Sequence, residues 1–211
     1  MARPAFWRVG RPEEAGRPRV IPLDRDRSLV EAARVDPARF DPLYRKYVAQ
    51  VYNFAVYELR DVHAAEDATE RTFLSALAAL PRFREGALPA DGAEASTFRV
   101  WLFRIARNVV AEHRRAARRH PQAPLEAATL MADRSATGDV EAVAVRNETA
   151  AAAWRAVAGL PDDRRRAVVL RFVHEMSTAE IAAILDRSEG AVRVLIHRGL
   201  RRVAEQLERR P

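Results

Sequence analysis

The sequence predicts an all-α protein of two small helical domains joined by a flexible linker, the second domain a helix-turn-helix. Apolar residues recur at steps of three and four along most of the chain, which is the period of an amphipathic helix. The 211 residues include 8 glycines, which is few for a sheet protein with many turns. The apolar pattern stops over residues 120–138, and this break separates the two domains.

Residues 1–35 form an arm rich in arginine and proline. Prolines alternate there with charged residues, and no apolar period is sustained. A segment of this composition buries too little apolar surface to offset the entropy lost on ordering. We therefore expect this arm to be mostly disordered.

The first domain, residues 36–119, is expected to contain three helices. The first begins at Asp41, a capping residue followed by proline at the first helical position. The second begins near Asp61, and its outer face is acidic on a chain whose net charge is +7. That face has two interpretations, a solvated surface or a binding site. The third helix begins at Ser96 or Thr97, after a loop of a dozen residues.

The third helix combines aromatic and basic residues. Six arginines fall within sixteen residues, more than the general arginine excess of the chain would scatter there. That excess itself could reflect either a GC-rich genome or a polyanionic partner. Phe98 and Trp101 fit the buried stripe, whereas Phe103 lies off it and is expected to be exposed. Arginines beside an exposed aromatic ring suit unpaired bases, which stack on flat side chains.

The second domain, residues 139–211, follows the linker and is expected to be entirely helical. Ser177 and Glu180 have the spacing of a capping box at the start of a short helix. Ser188 caps the next helix about three residues after the first one ends. Two capped helices so closely spaced predict a helix-turn-helix, although such pairs also occur in plain bundles.

The sequence predicts no enzyme, no cofactor and no small-molecule substrate. It has no cysteine and no glycine-rich phosphate loop, and its five histidines lack the spacing of a metal site. No apolar run approaches the roughly 18 residues of a membrane-spanning helix. We therefore expect a cytoplasmic protein with a basic surface.

Two groups of segments, in order, resemble the extracytoplasmic-function (ECF) sigma factors of the sigma-70 family. FDPLYRKYVAQVY, AEDATERTFLSAL and FRVWLFRIARNVVAEHRR are similar to the three helices of their region 2. GLPDDRRRAVVLRFVHEMSTAEIAAILDRSEGAVRVLIHRGLRRV is similar to their region 4. The resemblance spans residues 39–207 apart from the linker. It implies a promoter-specificity subunit that binds core RNA polymerase and promoter DNA and initiates transcription, with an anti-sigma factor as a further partner.

The resemblance also implies which residues make each contact. The acidic helix would bind the polymerase through Asp67, Glu70 and Phe73. The third helix would open and read the minus-ten element through Trp101, Arg104, Arg107 and Asn108, and we add Arg114 and Arg115 from the same arginine-rich face. The last helix would read the minus-thirty-five duplex through Ser188, Glu189, Gly190, Arg193, His197 and Arg198.

Two other classes of protein fit parts of the sequence. One is a free-standing helix-turn-helix regulator that binds duplex operators without polymerase. The other is a helical adaptor whose basic faces bind a protein or an anionic membrane. The acidic second helix and the face suited to unpaired bases favour a sigma factor over both, because neither alternative needs these two features together.

Overall fold

The computed structural model describes residues 25–85, 96–119 and 151–208, and all its regular elements there are helical. The first domain contains α1 (Arg27–Val35), α2 (Asp41–Leu59), α3 (Val62–Ala79) and α4 (Thr97–Arg119). The second contains α5, helical over 151–158, then α6 (Asp162–Phe172), α7 (Thr178–Leu185) and α8 (Glu189–Glu208). The predicted all-α architecture is confirmed, with α7 and α8 as the helix-turn-helix. The arm up to residue 24, loop residues 86–95, the linker and residues 139–150 lie outside the described residues.

The end of the arm is helical, and there the prediction of disorder is wrong. Helix α1 buries Val30 and Ala33 against the first domain. Asp26, just before α1, is fully buried and accepts hydrogen bonds from Lys46, Tyr47 and Ser96. Burial would raise the pKa of Asp26, but these hydrogen bonds outweigh burial and keep the pKa below its usual value. This nine-residue helix buries only two residues, so it is evident only once its partner surface is known.

Most of the predicted helix starts are confirmed by their capping hydrogen bonds. Asp61 accepts from the backbone nitrogen of Ala64 at 2.9 Å, and Ser96 accepts from that of Arg99 at 3.0 Å. The capping box of Ser177 and Glu180 is complete. The expected cap at Asp41 is wrong: its carboxylate accepts from Arg45, because the 3-10 turn Pro37–Phe40 runs directly into α2.

The two domains pack against each other and share one continuous hydrophobic core. Residues of α6, α7 and α8 belong to the same buried cluster as the interior of the first domain. His174, in the turn after α6, lies between Phe54 of α2 and Phe103 of α4, with ring centroids 6.4 and 5.3 Å away. Phe103 is 0% exposed, so its predicted exposure is wrong. Helix α4 is covered by α2 and also by the second domain. The sequence pattern of α4 does not indicate this second contact.

Helix α8 crosses α6 at a glycine that permits close packing. A Cβ atom on Gly199 would lie 2.8 Å from a methyl group of Val168, closer than real side chains approach. The absence of a side chain at Gly199 therefore sets how tightly the helix-turn-helix packs on the rest of its domain.

The stability of this packing is expected to fall in acid because of His174. Burial, with the nearby positive charge of Arg99, lowers the pKa of His174 from 6.5 to about 4. Folding favours the neutral imidazole of His174. Its contribution to the free energy of unfolding is therefore complete above pH 6.5 and is lost as the pH falls towards 4. The loss is expected to reach about 3 kcal/mol, since one pKa unit corresponds to about 1.4 kcal/mol.

Urea unfolding of the wild type and of His174→Leu at several pH values measures this effect. The variant should lack the part of the pH dependence that lies between pH 6.5 and 4. Substituting the exposed His63 by leucine is the matched control and should leave that dependence in place. Identical pH profiles for the wild type and His174→Leu would contradict the assignment.

Candidate functional site

An apolar groove of about 650 Å³ runs between α2 and α3. Its walls come from both helices and from the turn before α2, and they comprise Phe40, Tyr44, Val48, Ala49, Tyr52, Glu66, Thr69, Glu70, Phe73, Leu74 and Leu77. Leu74 is 59% exposed and Tyr44 43% exposed. Tyr44 continues the apolar spacing of α2 in the sequence, which favours burial, yet it forms part of the groove wall. Exposed apolar residues gathered in one groove are typical of a surface that binds another protein.

The three residues predicted to bind polymerase lie on or beside this groove. Glu70 lines it and is exposed, as is Asp67 one turn earlier on α3. Phe73 is buried in its floor, where its ring contacts Tyr44 edge-on with centroids 4.9 Å apart. The groove thus combines an apolar floor with an acidic rim. Arg71 on the same helix points elsewhere and pairs with Glu112 of α4 at 3.0 Å.

The residues predicted for the minus-ten element lie along α4, and they differ in solvent exposure and in their contacts. Arg104, Asn108 and Arg115 are exposed. Trp101 is half-buried and packs on Phe83, with ring centroids 5.1 Å apart. We call the five polar candidates, Arg104, Arg107, Asn108, Arg114 and Arg115, the basic face of α4.

Two members of the basic face of α4 contact the second domain. Arg107 donates to the backbone carbonyl of Ile184 at 2.7 Å. Arg114 donates to Asp162 at 2.8 Å and to the backbone carbonyl of Glu58 at 2.6 Å. Burial, and for Arg107 also the nearby Arg166, lowers the pKa of both guanidinium groups from the ordinary value, although neither loses its charge in the neutral range.

An ion cluster around the buried carboxylate of Glu58 joins the domains next to Arg114. The Glu58 carboxylate, at the end of α2, lies 3.1 Å from Arg114 and 2.9 Å from Arg166 of α6. Asp162 pairs with both Arg114 and Arg165 at 2.8 Å. Burial would raise the pKa of Asp162, but these arginines outweigh burial and lower the pKa below its usual value.

Arg99 makes a contact that sequence reasoning missed. Its guanidinium binds both carboxylate oxygens of Glu180 at 3.1 and 3.0 Å. Glu180 also accepts from the backbone nitrogen of Ser177, so one carboxylate caps α7 and binds the first domain. The capping box in the sequence identifies Glu180 as a helix cap, and no sequence signal indicates its partner on α4.

The residues predicted for the minus-thirty-five duplex form an accessible surface at the start of α8. Ser188, Gly190, Arg193, His197 and Arg198 are exposed, and Glu189 is half-buried. Ser188 accepts from the backbone nitrogen of Ala191 at 3.2 Å, which caps the helix as expected. Arg193 pairs weakly with Glu189, one turn away, at 3.4 Å. Such an exposed pair contributes little to stability and leaves the arginine available to DNA.

Neither a membrane span nor a metal site is found in the described part of the chain. None of its helices is both long and apolar enough to cross a bilayer. Across the same residues, histidine and carboxylate side chains do not gather in groups of three that could hold a metal ion.

Comparison with known protein families matches both domains. The model of sigma-70 region 2 matches residues 43–120, and that of sigma-70 region 4 matches residues 150–203. The ECF sigma factor SigM of Mycobacterium tuberculosis (strain Erdman) is 34% identical over 87% of this chain and 86% of SigM. The sigma-H factor of Pseudomonas aeruginosa is 30% identical over 90% of this chain and 97% of its own length. BldN of Streptomyces coelicolor is 33% identical over 85% of this chain and 64% of BldN.

Solved structures of the same fold are similar at lower identity. CnrH, solved in complex with the cytosolic domain of CnrY, has a TM-score of 0.60 at 22% identity, covering 88% of this chain and 98% of CnrH. RpoE of Bartonella quintana, solved with the anti-sigma factor NepR, has a TM-score of 0.61 at 21% identity, covering 82% and 98%. Together with the sequence relatives, the two matched regions show that the chain belongs to the ECF sigma factors, the promoter-recognising subunits of bacterial RNA polymerase.

Proposed function

We propose that this sigma factor binds core RNA polymerase through the groove between α2 and α3. The observation that carries the proposal is the groove itself, an exposed apolar surface with an acidic rim on a protein of net charge +7. An apolar floor supplies binding energy on burial, while the acidic rim favours a basic partner and disfavours nucleic acid. Asp67 and Glu70 are the rim residues assigned to the contact, and Phe73 supports it from below.

The basic face of α4, with Trp101, is proposed to hold and read the minus-ten element. Its arginines can bind phosphates, and the amide of Asn108 can hydrogen-bond the edge of an unpaired base. The half-buried Trp101 lies on the same side of α4, three residues before Arg104 and seven before Asn108. Single-stranded DNA is the target because strand opening exposes bases to such groups.

The N-terminal half of α8 is proposed to read the minus-thirty-five duplex in the major groove. The exposed side chains that cluster there are Ser188, Arg193, His197 and Arg198. Glu189 lies half-buried beside them, and Gly190 leaves room for close approach. An arginine can bind a guanine edge through two hydrogen bonds, and such a contact discriminates against other bases by about 1 to 3 kcal/mol.

We expect the free protein to bind duplex DNA weakly and without selectivity, and its complex with core polymerase to bind specific promoters tightly. Two small DNA-binding surfaces reinforce each other only when a scaffold holds them at the right separation. Gel shifts at physiological salt, with and without core polymerase, measure this difference. Tight and specific binding by the free protein would favour the free-standing regulator instead.

An anti-sigma factor is the further partner that we propose, with the cytoplasm as the location. The structure of RpoE, which shares the fold, was solved in complex with such a factor, and we propose the same kind of partner for this chain. An anti-sigma factor would suppress assembly of the complex with core polymerase when it is titrated into the mixture, which co-elution measures. If a saturating concentration of the anti-sigma factor leaves co-elution with core polymerase unchanged, that factor is not the partner.

A further inference from the structure

We infer that, in the free protein, the groove between α2 and α3 is occupied by the N-terminal arm of the same chain. The docking segment is residues 3–11, RPAFWRVGR, in which Phe6 and Trp7 lie between arginines. The inference rests on the proposed function, because it concerns the groove assigned above to core polymerase. The arm would regulate that site, since one groove cannot bind the arm and the polymerase at the same time.

The groove is suited to a ligand that carries aromatic rings. Four of the side chains that line it are themselves aromatic, namely Phe40, Tyr44, Tyr52 and Phe73. Tyr44 and Phe73 already meet edge-on, with ring centroids 4.9 Å apart. Aromatic rings prefer such edge-on or offset contacts with one another, so an additional ring gains more in this groove than its buried area alone supplies.

The rim of the groove is acidic and receives no arginine or lysine from its own two helices. Glu66, Asp67 and Glu70 are exposed along α3. The arginine and lysine side chains of α2 and α3 pair elsewhere: Arg45 with Asp41, Lys46 with Asp26, and Arg71 with Glu112. Carboxylates at this rim are therefore available to a basic segment.

The first twelve residues of the chain complement the groove in both respects. They include Arg3, Arg8 and Arg11 and contain no acidic residue. Phe6 and Trp7 are the only aromatic residues in the first 24 positions. Tryptophan and arginine are among the residue types that most often dominate the binding energy of protein interfaces. Residues 3–11 thus combine rings for the floor of the groove with cations for its rim.

The arm is attached close enough to the groove to reach it. Asp26, just before α1, accepts hydrogen bonds from Lys46 and Tyr47 of α2. Residues within one turn of these on the same helix line the groove, so the attachment lies about 12 Å away, one helix diameter. Residues 8–25 join Trp7 to Asp26. A chain of that length spans about 23 Å on average and about 60 Å when fully extended, which is more than the distance required.

Attachment to the same chain makes even weak docking effective. A short tether gives the segment a local concentration of about 1 mM at the groove. With a dissociation constant of about 0.1 mM, the segment would then occupy the groove about nine-tenths of the time. Because polymerase binds only the unoccupied fraction, its apparent dissociation constant would be raised about tenfold.

Contact quenching in the free, full-length protein tests whether the arm occupies the groove. The chain has no cysteine, so Ala78→Cys places a single bimane dye, which tryptophan quenches on contact, at an exposed position of α3 one turn after Leu74. We expect Trp7 to quench this dye, and Trp7→Phe, which keeps an aromatic ring, to restore its fluorescence. The quenching should not depend on protein concentration, because the arm and the groove belong to one chain.

Two variants that keep Trp7 should reduce the quenching. Phe6→Ser removes an aromatic ring from the docking segment, and Arg8→Glu combined with Arg11→Glu reverses its charge. The matched controls make the same kinds of change in the same arm, outside residues 3–11, and should keep the quenching. They are Val20→Ser, and Arg17→Glu combined with Arg19→Glu.

Titration with core polymerase measures the consequence for assembly. A dye on Ala204→Cys, exposed on α8 in the second domain, reports binding by anisotropy and leaves the groove unlabelled. Phe6→Ser combined with Trp7→Ser should bind core polymerase about tenfold more tightly than the wild-type arm does. Val20→Ser should bind with the wild-type affinity.

Equal fluorescence of the wild-type arm and Trp7→Phe would overturn the inference, and is the result expected if the arginines of the arm bind DNA instead. Quenching that rises with protein concentration would also overturn it, because the arm would then lie on a second copy of the chain. Loss of quenching in the controls, as complete as in the Phe6 and arginine variants, would show general attraction of the arm and no docking of residues 3–11.

Failure of the proposed function gives a different result. Quenching that is specific to residues 3–11, together with an unchanged affinity for core polymerase, would keep the arm in the groove and place the polymerase contact elsewhere. Loss of polymerase binding in Asp67→Arg, with no quenching by Trp7, would keep the polymerase contact and overturn the docking of the arm.

Discussion

Asp67→Arg is expected to abolish assembly with core RNA polymerase while the fold stays intact. The side chain is exposed on α3 beside the groove, so reversing its charge should cost little stability. Opposite a basic partner surface the new like charge should cost about 3 to 4 kcal/mol of association, roughly 100- to 1000-fold in affinity. Combining it with Glu70→Arg should remove any remaining binding.

Co-elution with core polymerase on gel filtration, together with far-ultraviolet circular dichroism, measures assembly and fold side by side. Glu208→Arg is the matched control, because it makes the same change in charge at an exposed position at the end of α8. Normal co-elution of Asp67→Arg with an unchanged helical spectrum would place the polymerase contact elsewhere on the molecule.

Substitutions on α8 and on α4 are expected to impair two different steps, duplex binding and strand opening. If Arg193 reads a base edge, Arg193→Ala should weaken binding in the closed promoter complex by about 1 to 3 kcal/mol, and the loss should depend on one base pair. If Arg198 binds a phosphate, Arg198→Ala should weaken binding to all DNA sequences alike. Asn108→Ala should leave closed-complex binding nearly unchanged and slow strand opening, because its partner exists only after the duplex has opened.

Two rescue experiments distinguish these roles. Raising the concentration of the polymerase complex should partly restore transcription for Arg193→Ala, since its defect is in binding. A template with a pre-melted minus-ten bubble should restore transcription for Asn108→Ala, since its defect is in opening. If the bubble rescues Arg193→Ala and fails to rescue Asn108→Ala, the assignments of α4 and α8 are reversed.

Local signals in the sequence predict most of the fold. Asp61, Ser96 and Ser177 each satisfy backbone nitrogens at the start of a helix, and this chemistry involves only neighbouring residues. The helix-turn-helix follows from two such caps close together. Helix α1 escaped prediction because Val30 and Ala33 are a short apolar pattern whose stability comes from the surface that they contact.

The interface between the domains could not be predicted from periodicity. A helical pattern separates one buried face from one exposed face, whereas α4 is covered on a second side as well. Phe103 and Arg107 both lie on that second side, and the sequence marks them as exposed candidates for DNA. The pairing of Arg99 with Glu180 joins residues 81 positions apart and has no local signature.

Transcription from a genomic DNA library with purified core polymerase, with and without this protein, tests whether the protein is a promoter-specificity subunit. We expect new transcript starts that appear only with the protein and share a minus-ten and a minus-thirty-five element at one spacing. Asp67→Arg in the same assay should give none of these starts. If the set of transcripts is unchanged when the wild-type protein is added at concentrations that saturate core polymerase, the protein does not direct promoter recognition.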